Sequence, residues 1–216
     1  VIDRRVAQLV AEGVTIKTKT LVCSDKDLPK GVVNDAVTLV TPAELDAQFD
    51  AVILSGGSET PRDLPVPGRE NSGIHFALEF LIPQNKEVAG DNKNPISAAG
   101  KHVVVIGGGD TGSDCVGTSI RQGAVRVTQI EILPQPPEGK NPETPWPFYP
   151  TILKTSSSHQ EGCIRKWALN TKQFVGVKGQ LTEVVVEEVE WSKDESGRMN
   201  MKPTGKTDTI KADLVF

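Results

Sequence analysis

The chain of 216 residues carries a net charge of −4, with 37% hydrophobic and 5% aromatic residues. That length fits one large domain, or one domain plus part of another. The acidic balance argues against nucleic acid as a main partner, and no apolar run approaches the ~20 residues that a membrane span needs.

In chain order, Ile2, Val6, Leu9 and Val10 fall at helical spacing, and Gly13 sits where a helix-ending glycine belongs. Val14–Lys19 alternates like a short strand. Thr41-Pro42-Ala43-Glu44 is a capping box with proline at the first helical position, which starts a helix running to about Phe49. Ala51–Leu54 reads as a strand that empties into Ser55-Gly56-Gly57. The prolines and glycine of 61–68 form a stiff extended connector. Ile74, Ala77, Leu78 and Leu81 mark the next helix, which Pro83 soon follows. A strand at 102–106, a helix at about 110–122 with Gly123 as its stop, and a strand at 125–132 come next. A proline-rich loop follows at 134–150, holding Trp146, Phe148 and Tyr149. The remainder reads as a β-meander: Gln173–Val177, Thr182–Trp191 and Met199–Pro203, with turns at 177–179 and 195–197.

The most informative stretch is 102–112. The β-branched run Val103–Ile106 enters a turn written Gly107-x-Gly109-x-x-Gly112. A buried strand feeding a glycine turn and then a helix presents backbone N–H groups to a pyrophosphate, aided by the partial positive charge of the helix N-terminus. Gly107 permits the tight turn, Gly109 leaves the phosphate side clear, and Gly112 lets the helix lie close on the strand. Gly108 belongs to the same turn. Thr111 offers a backbone N–H and a hydroxyl to a phosphate. Asp110 either caps the helix or orients the turn.

The second strand of such a unit ends in the residue that meets the adenosine ribose. Glu131 lies about 19 positions past Gly112, where a carboxylate bonds the 2′-hydroxyl of NAD(H) and repels a 2′-phosphate. The alternative is a solvated strand-end carboxylate. Arg126, Lys140 and Arg121 are the basic candidates for a 2′-phosphate, each against the reading of an ordinary surface charge.

Cys23, Cys115 and Cys163 are far apart, with no CxxC pair, so neither a zinc site nor a local redox disulfide is written here. That usage suits a reducing cytoplasm, with the thiols as packing groups. His75 falls in the helix and His102 starts a strand, with no ligand-spaced partner, so no metal site is expected. Thr155–Gly162 carries hydroxyls, His159 and Glu161; it reads as a polar helix end, or as a segment lining the nicotinamide side. No side-chain catalytic residue is expected. In hydride transfer the cofactors do the chemistry and the protein supplies position and electrostatics.

The run Val105–Ser119 (Val-Ile-Gly-Gly-Gly-Asp-Thr-Gly-Ser-Asp-Cys-Val-Gly-Thr-Ser) closely resembles the nucleotide motif of the glutamate synthase small (beta) subunit family. The resemblance extends to Arg121-Gln122-Gly123-Ala124, Glu131-Ile132-Leu133-Pro134-x-Pro136-Pro137, Asn141-x-x-x-Pro145-Trp146-Pro147 and His159-Gln160-Glu161-Gly162. It includes Asp3-Arg4-Arg5, Glu12-Gly13-Val14, the 56–68 connector and Gly73-Ile74-His75-Phe76-Ala77, and so spans nearly the whole chain. It implies an α/β fold: a Rossmann-like nucleotide-binding domain with a β-meander at 71–216, and part of an FAD-binding Rossmann-like domain, its C-terminal portion with the connector, at 1–70. It implies NADPH or NADH as one cofactor and FAD as another in the full-length protein. Ser55, Gly56 and Gly57 would be a strand-end turn near the flavin. The implied partner is the glutamate synthase large subunit, reached through iron–sulfur clusters, which makes glutamate from glutamine and 2-oxoglutarate. The family's cysteine clusters, first FAD glycine motif and last FAD strand are missing from these residues, and both ends read as cut. The chain alone is therefore expected to hold the nicotinamide nucleotide, to bind FAD poorly and to be inactive. Two other readings stand: the electron-input part of a dihydropyrimidine dehydrogenase-like enzyme, and a non-catalytic nucleotide-binding adaptor using loop 134–150 as its docking surface.

Overall fold

A computed structural model of the chain describes residues 2–23, 36–58, 60–91 and 93–216. The chain divides into two compact units, Val1–Glu59 and Thr60–Phe216.

In the first unit, α1 (Ile2–Ala11) ends as its glycine predicts: the Gly13 N–H donates to Val10 and the Val14 N–H to Leu9, both at 3.0 Å. β1 (Thr20–Val22) and β2 (Thr38–Val40) pair in parallel. The strand expected at Val14–Lys19 does not form. β2 pairs in register only with Thr20–Val22. Lys19 turns to φ +50° and its carbonyl takes the Val37 and Thr38 N–H groups at 2.8 and 3.1 Å, and among the described residues no ladder partner lies before it. α2 (Pro42–Gln48) starts at the predicted box: the Thr41 hydroxyl accepts the Glu44 N–H at 3.2 Å, and Glu44 accepts the Thr41 N–H at 2.7 Å. The strand expected at Ala51–Leu54 is also absent. The segment has no ladder partner among the described residues, and Ile53 and Leu54 are 88% and 90% exposed. None of the described residues of this unit is buried.

The second unit is built on a four-stranded parallel sheet. Its strands are β3 (His102–Ile106), β4 (Arg126–Ile130), β5 (Ile164–Lys166) and β9 (Leu214–Val215), in the order β5-β4-β3-β9. β3 and β4 pair in register from His102 opposite Arg126 to Ile106 opposite Ile130. α4 (Asp110–Arg121) crosses between them, and α5 (Ser157–Gln160) precedes β5. Between β5 and β9 the chain makes the antiparallel meander β6 (Leu169–Val177), β7 (Gln180–Lys193) and β8 (Met199–Lys211). The meander is longer than its periodicity predicts. Asp213 closes the return: its carboxylate accepts the His102 N–H at 2.8 Å and faces the His102 Nδ1 at 3.1 Å. The His102 N–H bond is the first cause holding the Asp213 carboxyl below its usual range.

Both faces of the sheet are covered, which is why the β3 run is continuously apolar rather than alternating. Val103 and Val105 pack with Cys115 and Val116 of α4, with Phe80 and with Phe216. Val104 faces the other way, onto Phe174, Leu181, Val184 and Val186 of the meander. Leu64 and Val66 of the connector pack against that second cluster.

The helix predicted to end near Pro83 runs through it, as α3 (Ala77–Val88). Phe80 is fully buried and stacks on Phe216, with centroids 4.2 Å apart, and the Asn94 amide donates to the Phe80 carbonyl at 3.0 Å. An interior proline costs a helix about 3 kcal/mol, and a buried phenylalanine is worth about as much, so packing holds the helix together. His75, expected inside this helix, lies before it and donates its N–H to Val215 at 3.0 Å. No helix among the described residues is long and apolar enough to cross a membrane.

Phe80→Ala is expected to lower stability by roughly 3–5 kcal/mol, read as a lower urea midpoint. A midpoint near that of the parent chain would show that the Phe80–Phe216 stack does not anchor α3.

Candidate functional site

The functional turn forms where β3 meets α4. Gly107 takes φ +124°, a conformation that side chains rarely adopt, and its N–H donates to Ile130 at 2.9 Å. Gly109 is the N-cap of α4 and forms no side-chain cap bond, so the first N–H groups of the helix are left for another acceptor. Asp110 is the first helical residue, so it does not occupy the capping position. Gly112 is a close approach: a methyl group there would lie 2.5 Å from the Gly107 carbonyl oxygen and 3.2 Å from Gln129 Nε2. At the far end of α4 the Gly123 N–H donates to Ile120 and the Ala124 N–H to Ser119, closing the helix where predicted.

A cavity of about 280 Å³ opens beside the turn. Gly108, Gly109, Asp110 and Glu131 line it, together with Pro136, Tyr149, Lys154 and Arg165. Glu131 lies against Gly108 so closely that any side chain at 108 would overlap its carboxylate. Its backbone is fixed on both sides: the N–H donates to Lys166 at 2.9 Å and the carbonyl accepts Leu169 at 3.0 Å. Its carboxylate lies 3.6 Å from Arg165, and both side chains are largely buried. The carboxylate is thus paired and mostly buried rather than freely solvated. Arg165 also donates to the Lys154 carbonyl at 2.9 Å and lies over the Trp167 ring at 5.0 Å. Its Nε is buried without a hydrogen-bond partner.

Behind the turn runs a polar relay. Gln129 is fully buried and donates Nε2 to the Gly107 carbonyl at 2.8 Å. Its Oε1 lies 2.8 Å from His159 Nε2. His159 Nδ1 accepts the Ser156 N–H at 3.0 Å. The Ser156 and Ser113 hydroxyls share a hydrogen bond of 2.6 Å, joining α5 to α4. Burial, then the charge of Arg165, lowers the His159 pKa below its ordinary value.

The structure thus brings Gly108, Gly109, Asp110 and Glu131 to one cavity, with Gly107 and Gly112 shaping the turn behind them. Thr111 is exposed on the first turn of α4. Ser55, Gly56 and Gly57 lie exposed in the first unit. The three basic candidates are elsewhere: Arg121 pairs with Glu161, Arg126 lines a separate cleft with His102, and Lys140 is exposed. The positive charges at the cavity are Arg165 and Lys154, which the sequence reading missed. Arg165 reaches the cavity because β5 sets it beside Gln129 in the parallel ladder, a pairing with no local signal. Lys154 lies 3.9 Å from the Tyr149 ring centroid. Loop 134–150 therefore supplies a wall of the cavity through Pro136, Tyr149 and Pro150, rather than standing wholly free as a docking surface. Cys115 is a packing residue, its thiol pushed up to about 12 by burial. No group of His, Cys, Asp or Glu among the described residues is arranged to hold a metal.

The family model described as pyridine nucleotide-disulphide oxidoreductase matches residues 4–144. The chain is 40% identical over its whole length to the glutamate synthase [NADPH] small chain of Mycobacterium tuberculosis, covering 42% of that protein. It is 38% identical, again throughout, to the glutamate synthase [NADH] of Schizosaccharomyces pombe, covering 10% of it. The small chain of Bacillus subtilis is 33% identical, with 43% of it covered. The chain thus spans less than half the length of each of these relatives. Among solved structures, Mycobacterium tuberculosis FprA in complex with NADPH superposes with a TM-score of 0.51 at 18% identity, over 82% of this chain and 51% of that one. That likeness is one of fold.

Gly112→Ala is expected to destabilise the chain by roughly 1–3 kcal/mol, because the added methyl presses on the Gly107 carbonyl. Urea denaturation measures it. An unchanged midpoint would mean that α4 moves off the turn without cost.

Proposed function

The chain belongs to the pyridine nucleotide-disulphide oxidoreductase family, and on that footing we propose that the cavity beside Gly107–Gly112 is its nicotinamide nucleotide site. The observation that carries this reading is the uncapped N-terminus of α4 opening on a cavity lined by glycine backbone and by Glu131. The residues fit the group. A Cβ at Gly109 would meet no protein atom within 4 Å, which leaves that flank of the helix N-terminus clear. The first-turn N–H groups would hold the pyrophosphate, Thr111 adding its own, and Glu131 would accept the ribose 2′-hydroxyl. Asp110 lines the same cavity and is no phosphate ligand through its acidic side chain. When bound, the nicotinamide supplies a hydride and FAD accepts it. The chain's own part is to bind, orient and shield.

In the whole protein this chain would be the NAD(P)H-binding part of a glutamate synthase small subunit. Residues 71–216 would be the NAD(P)H-binding domain with its meander, and residues 1–70 part of the FAD-binding domain with the connector. The exposed apolar residues of the first unit support this, since such faces suit cover by further structure. Ser55, Gly56 and Gly57 would flank the flavin there. Those three residues are exposed; FAD is expected to bind this chain weakly and turnover to require the rest of the protein. The resemblance to glutamate synthases supports a large subunit as the electron-receiving partner, glutamate formation from glutamine and 2-oxoglutarate as the outcome, and a cytoplasmic setting.

Calorimetric titration with NADH and NADPH is the direct test; no heat with either nucleotide defeats the site assignment. Gly109→Val should abolish binding by filling the phosphate position, with only a small fall in melting temperature from a poorer N-cap, since its Cβ meets no protein atom within 4 Å. Retained affinity would place the phosphates elsewhere. Glu131→Ala should weaken NADH roughly ten- to hundredfold, the range for a lost charge-assisted bond, with a smaller effect on NADPH. Equal losses for both nucleotides would remove Glu131 from the ribose.

A further inference from the structure

The relay behind the glycine turn has a direction that its donors dictate. The Ser156 N–H is able only to donate, so His159 Nδ1 accepts and carries no proton. The neutral ring then bears its proton on Nε2, which donates to Gln129 Oε1 at 2.8 Å. That bond sets the amide of Gln129 the other way round, with Nε2 facing the Gly107 carbonyl at 2.8 Å. In a planar trans peptide the carbonyl and the following N–H point in opposite directions. With the Gly107 carbonyl held inward, the Gly108 N–H is turned toward the cavity side, where Gly108, Gly109 and Asp110 line the wall.

We propose that His159 is a positioning residue for the nucleotide: acting through Gln129, it locks the Gly107–Gly108 peptide so that the Gly108 N–H faces the bound dinucleotide. This rests on the nucleotide reading above and adds to it a residue that never touches the ligand. Gly107 has no side chain to restrict its own peptide, and at φ +124° it is free to rotate unless something holds the carbonyl. Gln129 does so from a fully buried position, where an unmade amide bond is costly. His159 in turn holds Gln129.

Only the neutral ring makes both ends of the relay: the protonated ring still donates Nε2 to Gln129 but no longer accepts the Ser156 N–H at Nδ1. A proton on Nδ1 would turn two donors toward each other at Ser156, leaving only the Ser156 hydroxyl, 3.0 Å away, as an acceptor. The charged groups on the elements around the ring are Asp110, Asp114 and Arg121 on α4, Arg126 on β4, Arg165 and Lys166 on β5, and Glu161 at the end of α5. Arg121 and Glu161 pair with each other, and Arg165 disfavours the protonated ring. The sign follows. The ordinary histidine pKa is about 6.5, and this one is lowered, so the Ser156 end of the relay is intact at neutral pH and is lost as the ring protonates below that value, which loosens the seat of the ring while Nε2 goes on donating to Gln129.

The test is NADH affinity in the full chain, measured from about pH 7.5 down to about pH 5.5, for the parent chain, His159→Leu and His159→Gln. His159→Leu should weaken binding about five- to tenfold at neutral pH. His159→Gln keeps a neutral donor for Gln129; it should recover most of the affinity and lose the acid decline that the parent shows. Amide hydrogen exchange at residues 107–109 should quicken in His159→Leu without nucleotide present, which reports on the turn even if that variant is less stable overall. Parental affinity in His159→Leu overturns the proposal, as does an acid decline unchanged in His159→Gln. If the parent binds NADH and Gly109→Val blocks it while His159→Leu is silent, the nucleotide site stands and only the positioning role falls. If the parent binds no nucleotide, both fall.

Discussion

The Gly107 carbonyl is the point at which strand, helix and neighbouring strand are held together. Gln129 reaches it from β4, Gly112 lets α4 press within contact of it, and the Gly107 N–H is tied back to Ile130. Both backbone groups of this half-buried glycine find their partners within the protein. The glycine spacing is the sequence-level trace of that crowding. One glycine accepts an unusual φ, one admits the helix, and one admits the Glu131 carboxylate.

That junction needs a rigid strand behind it, and the two-sided core provides one. Val103 and Val105 are locked by the helices, and Val104 by the meander, so β3 ends at a fixed place. The meander therefore does more than extend the chain between β5 and β9. It buries the face of the sheet that the helices leave open, and its return through Asp213 pins the start of β3. A site on a strand–helix junction is held more firmly than one on a loop. Of the loop residues that complete this cavity, Lys154 is tethered through Arg165 to β5 and to Glu131, and Tyr149 is held by Lys154.

The first unit contrasts with this. Its caps and helices form as local chemistry requires, yet none of its described residues is buried. Capping and periodicity are sufficient to start a helix, but burial needs a second surface. The two units thus report different levels of the same physics: local signals complete in one, local signals plus a covered sheet in the other.

The legible parts of this protein were those encoded within a few residues. The Thr41–Glu44 box, the glycines closing α1 and α4, the β3 strand and the glycine turn all follow from local sterics and hydrogen bonding, and all were read correctly from the residues. The misreadings were of segments that a neighbour decides. Val14–Lys19 and Ala51–Leu54 have strand-like residues but no ladder among the described residues, and α3 survives Pro83 because Phe216, from the far end of the chain, stacks on Phe80. The site divides in the same way. The sequence by itself determined the glycine turn and the position of Glu131, since a strand–turn–helix has one local solution. Tertiary structure alone decided that Arg165, Lys154, Gln129 and His159 are its companions. They come together through the parallel register of β4 and β5 and the docking of α5 on α4, and residues brought together by such long-range pairing leave no pattern along the chain.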